Sequence, residues 1–235
     1  MLLLNGSDFM YIDTHCHLSR EDYDDIDFVL KENRESGISK IIISGCDKVG
    51  IKESLELANK YEDIYVTLGY HPSEVDLVSE EDLIELESLL KYDKVVGLGE
   101  IGLDYYYGKD NKDEQIKLFE KQLSIAEKLG MVVVIHSRDA VEDTINCLKK
   151  YKVKGVIHCF SGSVESAKIY VSSGYKFGIG GVVTFKNSNL YKVVEEVGLK
   201  NIVLETDSPY LTPEPYRGRR NEPSNVLYVA LSWTI

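Results

Sequence analysis

The chain has 235 residues, of which 43% are hydrophobic and 28% are charged. This ordinary globular composition argues against a disordered chain, and the length suits one sizeable domain. With 27 basic and 39 acidic residues, the formal net charge is −12. That charge disfavours a protein that binds nucleic acid or a membrane surface through bulk positive charge. The apolar runs are also too short for a membrane span, so no membrane partner is expected.

Short β-branched apolar runs alternate with amphipathic stretches along the chain. The apolar runs predict eight strands, at residues 10–15, 40–45, 64–69, 95–100, 131–136, 153–158, 175–180 and 201–206. The stretches between them predict helices at residues 21–36, 50–61, 79–91, 112–129, 139–150, 163–173 and 189–198. Several strand runs are continuously hydrophobic, which is typical of a parallel sheet covered on both faces. This alternation predicts an α/β fold, a (β/α)8 TIM barrel, with a doubly wound open sheet as the alternative.

The two ends of the chain depart from this alternation. Residues 1–9 precede a strand that begins at Met10, so we expect an N-terminal extension followed by a single barrel domain over residues 10–235. After the eighth predicted strand, residues 225–235 leave room for only a short or truncated C-terminal helix. We therefore expect an outer ring of helices that is incomplete, with apolar barrel wall exposed.

The scarce histidines are concentrated at the carboxyl ends of the predicted strands, where barrel enzymes carry their reactive side chains. Two acids occupy equivalent places, Glu100 after the fourth strand and Asp207 after the eighth. The chain has five histidines in all, namely His15, His17, His71, His136 and His158. We therefore expect one polar site at this end of the barrel.

His15 and His17 alternate with Cys16, so both imidazoles lie on one face of an extended strand and form a metal-binding pair. The predicted ligands are His15, His17, Glu100, His136, His158 and Asp207. Six ligands exceed the need of one tetrahedral ion but suit two divalent ions, which require a bridging group. We assign Glu100 as the bridge. One ion then takes His15, His17 and Asp207, and the other takes His136 and His158. The residue types allow Zn²⁺, Mn²⁺ or Mg²⁺.

Such a site suggests hydrolysis by a metal-activated water, with Glu100 and Asp207 as the catalytic carboxylates and Asp207 orienting or deprotonating the water. Candidate substrate-binding residues are His71, which follows the third strand, and Arg138, two residues beyond His136. Arg217 and Arg219 belong to the strongest basic cluster and follow the eighth strand, where barrel enzymes often bind phosphate. A solvated charge run is the alternative interpretation of that cluster.

Seven motifs carry a family resemblance: DTHCHL (13–18), GYHP (69–72), GEIGLDYY (99–106), VIHSRDA (134–140), HCFSG (158–162), LETDSPYL (204–211) and YRGRRNEP (216–223). In this order they resemble the TatD family of metal-dependent deoxyribonucleases, from Met10 to about Val229. The resemblance implies a TIM barrel of the metal-dependent hydrolase type and two divalent ions. It places the family's ligands on the same six positions, from His15 to Asp207.

The resemblance also implies an activity, namely 3′-to-5′ exonuclease cleavage of phosphodiester bonds at single-stranded DNA ends. Metal-dependent amide or carboxylic-ester hydrolysis is the alternative, because the same site polarises carbonyl groups. An inactive product with an incomplete C-terminus is a third hypothesis. The four cysteines show no CxxC pairing, so reduced thiols in a cytoplasmic protein are expected, and a monomer is expected.

Overall fold

The computed structural model of the protein describes residues 10–232. Its eight strands are β1 (Tyr11–Cys16), β2 (Ile38–Gly45), β3 (Ile64–Leu68), β4 (Val95–Asp104), β5 (Val133–Arg138), β6 (Gly155–Ile157), β7 (Lys176–Ile179) and β8 (Ile202–Leu204). The helices are α1 (Ile26–Glu35), α2 (Lys48–Lys60), α3 (Glu80–Leu89), α4 (Lys112–Leu129), α5 (Val141–Leu148), α6 (Val164–Ser172), α7 (Leu190–Val197) and α8 (Val226–Leu231). The extension predicted at residues 1–9 lies outside the described residues, as do residues 233–235.

The strands pair in parallel and in chain order from β1 to β8. The barrel closes between β1 and the residues just after β8. There the backbone N–H of Asp207 donates to the His15 carbonyl over 3.0 Å, and the backbone N–H of His17 donates to the Ser208 carbonyl over 2.7 Å. Inside this seam the buried Asp13 carboxylate accepts hydrogen bonds from the backbone and the hydroxyl of Thr206. The predicted TIM barrel is therefore confirmed.

Local sequence signals explain where several helices begin and end. Asp47 caps α2 by accepting from two backbone N–H groups, and Ser79 and Asp82 form a capping box at α3. Gly130 ends α4 in a left-handed conformation with φ of 66°. The predicted start of the first helix at residue 21 is wrong, because α1 begins at Ile26.

The residues before α1 instead form a turn that buries Tyr23, whose hydroxyl donates to the Asn221 carbonyl over 2.6 Å. At the other end of the chain, α8 has the short length that the sequence predicted. Its Val226 and Val229 side chains are fully buried and join the barrel core. None of the helices within residues 10–232 is both long and apolar enough to cross a membrane.

Candidate metal centre

The carboxyl ends of the strands bring all six predicted ligands to one place. His15 lies on β1 and His136 on β5, while Glu100 lies within the longer β4. The remaining three follow their strands directly or within three residues. They surround the base of a cavity of about 1080 Å³, which five of the six help to line; the sixth, His15, is buried beneath it.

The two carboxylate oxygens of Glu100 face different histidines. Its Oε2 atom lies 3.3 Å from His15 Nε2 and 3.6 Å from His17 Nε2. Its Oε1 atom lies 2.7 Å from His136 Nδ1 and 3.0 Å from His158 Nε2. Glu100 therefore stands between two groups of predicted ligands. We call His15, His17 and Asp207 the β1/β8 half of the site, and His136 and His158 the β5/β6 half.

Asp207 completes the β1/β8 half. Its Oδ1 atom lies 3.4 Å from His17 Nε2 and 3.8 Å from His15 Nε2, and the two imidazole nitrogens lie 3.3 Å apart. Asp207 has a left-handed φ of 56°, a conformation that Asp tolerates better than most residues. The turn directs its side chain toward β1 while its backbone N–H joins the barrel seam.

This donor set fits a bound cation. Within residues 10–232, three groups of side chains have ligand atoms within 4.8 Å of one another: His15, His158 and Asp207; His15, His17 and Glu100; and His71, Glu100 and His136. Imidazole nitrogens and carboxylate oxygens that converge this closely place several lone pairs on a common point, which a divalent ion satisfies.

The pKa values of the Glu100 and Asp207 carboxyl groups also favour cation binding, because both groups are held in their ionised form. Burial favours the neutral acid, but the imidazoles of His158 and His136 outweigh it and hold the pKa of Glu100 well below its ordinary value. Burial also opposes ionisation of Asp207, yet the hydrogen bond from His17 keeps its pKa low. Burial, helped by the neighbouring His158, lowers the pKa of His15 and favours the neutral ring that binds a metal.

Two carboxylates that the sequence analysis did not identify, the half-buried Asp104 and the buried Glu205, stand behind the β5/β6 half. The Oδ2 atom of Asp104 lies 3.0 Å from His136 Nε2. The Oε1 atom of Glu205 lies 3.6 Å from His158 Nδ1 and also accepts the backbone N–H of Cys159. A carboxylate behind a metal-binding imidazole fixes the orientation of the ring and raises its basicity.

Each of these carboxylates had a signal in the sequence. Asp104 follows Glu100 by four residues on the same strand, so the two-residue period of a strand places both on one side. The Glu205 side chain occupies space left by Gly178, where an added Cβ atom would lie 1.9 Å from Glu205 Oε2. A glycine in a strand often marks such a close approach.

His71 lies beside the β5/β6 half, with its Nε2 atom 3.8 Å from Glu100 Oε1. Its Nδ1 atom accepts the backbone N–H of Ser73 over 3.1 Å. Burial lowers the pKa of His71 to about 4, so the ring is neutral at pH 7. A neutral imidazole that accepts at Nδ1 carries its proton on Nε2. His71 therefore presents an N–H donor toward the site and not a metal-binding lone pair.

The predicted arginines are placed differently from one another. Arg138 lines the cavity. Arg217 and Arg219 are not among its lining residues: Arg217 stacks on Phe185 at 3.8 Å, and Arg219 lies 5.5 Å from the Tyr216 ring centroid. A smaller cavity of about 180 Å³ between α5 and α6 contains none of the predicted site residues.

Comparison with known proteins agrees with this geometry. The sequence pattern of the family described as TatD related DNase matches residues 12–232. The uncharacterized metal-dependent hydrolase YabD of Bacillus subtilis is 40% identical over 94% of this chain and 89% of its own length. The uncharacterized metal-dependent hydrolase YcfH of Escherichia coli is 34% identical over 93% of this chain and 85% of its own length.

Among solved structures, the crystal structure of YjjV, a TatD homologue from Escherichia coli, has a TM-score of 0.87 with 31% identity. The match covers 94% of this chain and 88% of YjjV. A TatD family hydrolase from Entamoeba histolytica has a TM-score of 0.85 with 27% identity, over 95% of this chain and 90% of its own. The similarity therefore extends over nearly the whole described barrel, including the strands that carry or precede the predicted ligands.

Proposed function

The chain belongs to the TatD family and is a metal-dependent hydrolase, and from that premise we propose that it cleaves phosphodiester bonds at the 3′ ends of single-stranded DNA. The proposal rests on the position of the Glu100 carboxylate. Its two oxygens face separate pairs of histidines at distances of 2.7 to 3.6 Å. This arrangement suits two divalent ions that share one carboxylate, as two-ion phosphodiesterases require. The family description, TatD related DNase, supports DNA as the substrate.

We assign the ligands by the two halves of the site. His15, His17 and Asp207 would hold one ion, His136 and His158 the other, and Glu100 both. When bound, the ions would lower the pKa of a water molecule and stabilise negative charge on the phosphoryl oxygens.

The residues of the chain supply the proton transfer and the orientation. The Asp207 carboxylate, kept ionised by its contact with His17, accepts the proton of the attacking water. The water oxygen forms a bond to phosphorus while the bond to the 3′ oxygen of the preceding nucleotide breaks, and that oxygen takes a proton from solvent. The Nε2–H group of His71 donates a hydrogen bond to a phosphoryl oxygen, where negative charge increases in the transition state.

The charge around the cavity supports a short footprint on the substrate. One side of the rim carries the acids Glu21, Asp22, Asp47, Glu53 and Glu74. With a net charge of −12 as well, the protein is unsuited to holding a long polyanion along its surface. A strand end that reaches into the cavity avoids most of this repulsion.

The proposal is tested with single strands labelled at the 3′ or the 5′ end and incubated with Mg²⁺, Mn²⁺ or Zn²⁺. We expect metal-dependent loss of the 3′ label as mononucleotides, with the 5′ label retained in a shortening ladder. The same metal-loaded protein is tested on acyl-amides and carboxylic esters, which represent the alternative substrate class. Acyl hydrolysis without cleavage of any phosphodiester would overturn the proposal in favour of that alternative.

A further inference from the structure

Two exposed tyrosines stand at the mouth of the cavity beyond the end of β4. The Tyr106 side chain is 56% exposed and the Tyr107 side chain is 89% exposed, and Tyr107 lines the cavity. Their rings meet edge to face, with centroids 4.9 Å apart. Aromatic rings that are exposed in this way contribute little to packing of the core. Beside a polar site, they are suited to stack on a planar ligand.

Arg138 extends this surface. Its guanidinium carbon lies 3.5 Å from the Tyr106 ring centroid and 5.9 Å from that of Tyr107. Within the described residues the Arg138 side chain forms no ion pair. Its stacked guanidinium is therefore held in place by an aromatic face while its N–H groups remain available to an anion. We call Tyr106, Tyr107 and Arg138 the aromatic platform.

The aromatic platform is tied to the metal centre by one side chain. The Asp104 Oδ1 atom accepts the backbone N–H of Tyr106 over 2.9 Å, while its Oδ2 atom lies 3.0 Å from His136 Nε2. Arg138 also lies only two residues beyond His136 on β5. The platform therefore keeps a fixed distance and direction from the metal ligands, as a subsite for one substrate group requires.

The opposite rim offers a poorer place for a nucleotide. Tyr210 also lines the cavity and is 58% exposed, and its ring centroid lies 6.2 Å from that of His17. Its neighbours on that rim include the acids Glu21 and Asp22, which repel phosphate. The residues that line the cavity include a single arginine, Arg138, and no lysine.

We propose that the aromatic platform is a nucleobase subsite. One base of the DNA end stacks on Tyr107 and Tyr106, and Arg138 binds a phosphate adjacent to that base. This inference rests on the proposed function for the identity of the substrate, and it adds which part of the substrate the protein holds and where. Stacking on aromatic side chains tolerates all four bases, so the subsite would favour a nucleotide over a base-free sugar phosphate without strong sequence preference.

A binding measurement tests the subsite without requiring hydrolysis. Titration calorimetry on the Mn²⁺-loaded protein compares deoxyadenosine 5′-monophosphate with 2-deoxyribose 5-phosphate, which lacks the base. We expect the nucleotide to bind about 10-fold more tightly. In Tyr107→Ala this advantage should largely disappear, whereas Tyr107→Phe should keep it. Tyr92→Ala is the matched control, because Tyr92 is an exposed tyrosine that precedes β4 at the opposite end of the barrel.

Equal binding of the two ligands to the unmodified protein would overturn the subsite, as would an unchanged preference in Tyr107→Ala. Loss of the preference in Tyr210→Ala but not in Tyr107→Ala would also overturn it. Retained base preference together with no cleavage of single-stranded DNA would contradict the proposed function and leave the subsite supported.

Cleavage assays then locate the base within the substrate. Strands carrying a tetrahydrofuran abasic residue at the terminal, second or third position are compared with an ordinary strand. We expect one position to lower kcat/KM by about 10-fold, and the Tyr107→Ala variant to be insensitive to the base at that same position. A variant that loses equal activity on every strand would contradict the subsite, because its defect would not depend on a base.

Discussion

The two halves of the metal centre hold their histidines in different ways. In the β5/β6 half, the half-buried Asp104 carboxylate lies 3.0 Å from the ring of His136, within hydrogen-bond distance. His158 Nδ1 lies 3.6 Å from the buried Glu205 carboxylate and has no hydrogen-bond partner within residues 10–232. In the β1/β8 half, His15 Nδ1 is buried without a hydrogen-bond partner in the described part of the chain. His17 Nδ1 faces only the Cys46 thiol, at 4.0 Å.

This difference has a consequence for metal affinity. A carboxylate that accepts the second ring proton makes an imidazole a stronger ligand and fixes its orientation. Because Asp104 lies within hydrogen-bond distance of His136, we expect the β5/β6 half to bind its ion first and more tightly. The β1/β8 half, which contains Asp207, would bind the second ion and complete the catalytic site.

Glu100 is the residue common to both halves, so its replacement should have the largest effect. In Glu100→Gln the shared anionic group is lost, and we expect kcat/KM on single-stranded DNA to fall by about 1000-fold or more. The amount of bound metal that remains after dialysis should fall for both ions together. The control is Glu56→Gln, which removes an exposed carboxylate on α2 that pairs with Arg20. Activity within a few fold of the unmodified protein would contradict a shared ligand.

His71 belongs to neither half and is expected to act through its Nε2 proton. His71→Asn keeps an acceptor near the position of Nδ1 for the Ser73 N–H but removes the donor, and kcat should fall by about 100-fold. His71→Gln reaches further and carries an amide donor, so part of kcat should return. Steady-state kinetics at saturating metal measure both variants. Loss of metal binding in His71→Asn would instead identify His71 as a ligand.

Of the two halves of the candidate metal centre, Asp104→Asn should affect the β5/β6 half. Loss of the carboxylate behind His136 is expected to weaken the tighter metal-binding event by about 10- to 100-fold. Metal titration by calorimetry measures this change, and excess metal should restore most of the activity. Asp110→Asn is the control, because Asp110 is an exposed acid in the loop that connects β4 to α4. A change confined to the weaker binding event would reverse the comparison of the two halves.

The smallest expected effect is on stability as a function of pH. Burial lowers the pKa of His71 to about 4, whereas an unfolded histidine has a pKa of about 6.5. Between about pH 4 and 6.5 the unfolded chain therefore binds more protons than the folded protein does, so the free energy of unfolding rises with pH. The stability that the neutral, buried His71 ring permits is lost as pH falls toward about 4. The contribution is about 3 kcal/mol at most.

Denaturant unfolding of the metal-free protein at a series of pH values measures this dependence. The other histidines titrate in both proteins, so the difference between the unmodified protein and His71→Asn isolates His71. The variant should show a shallower rise of stability with pH in the acidic range. The same slope in both proteins would show that His71 is not buried in its neutral form.

The barrel and the proximity of the six predicted ligands could both be predicted from the sequence, because both depend on regular patterns. Hydrophobic runs mark the strands, and parallel strands place their carboxyl ends at one mouth. Asp104 and Glu205 were missed because their importance depends on which ring nitrogen of a neighbouring histidine each one faces. No linear pattern reports that orientation.

Two further features needed the folded chain. The protonated nitrogen of His71 follows from its hydrogen bond to the Ser73 N–H, which forms only in the 3₁₀ turn at Pro72–Glu74. Arg217 and Arg219 were predicted as phosphate ligands from their position after β8. The intervening loop instead leads them onto Phe185 and Tyr216, outside the cavity lining, so that prediction has no support from the geometry.

The central claim is that Glu100 joins two ion-binding halves. Anomalous X-ray diffraction from crystals of the Mn²⁺-loaded protein tests it most directly. We expect two peaks about 3.5 to 4 Å apart, one among His15, His17 and Asp207 and one between His136 and His158, with a Glu100 oxygen on each. A single peak, or a second ion bound by His71 in place of one of these ligands, would contradict the claim.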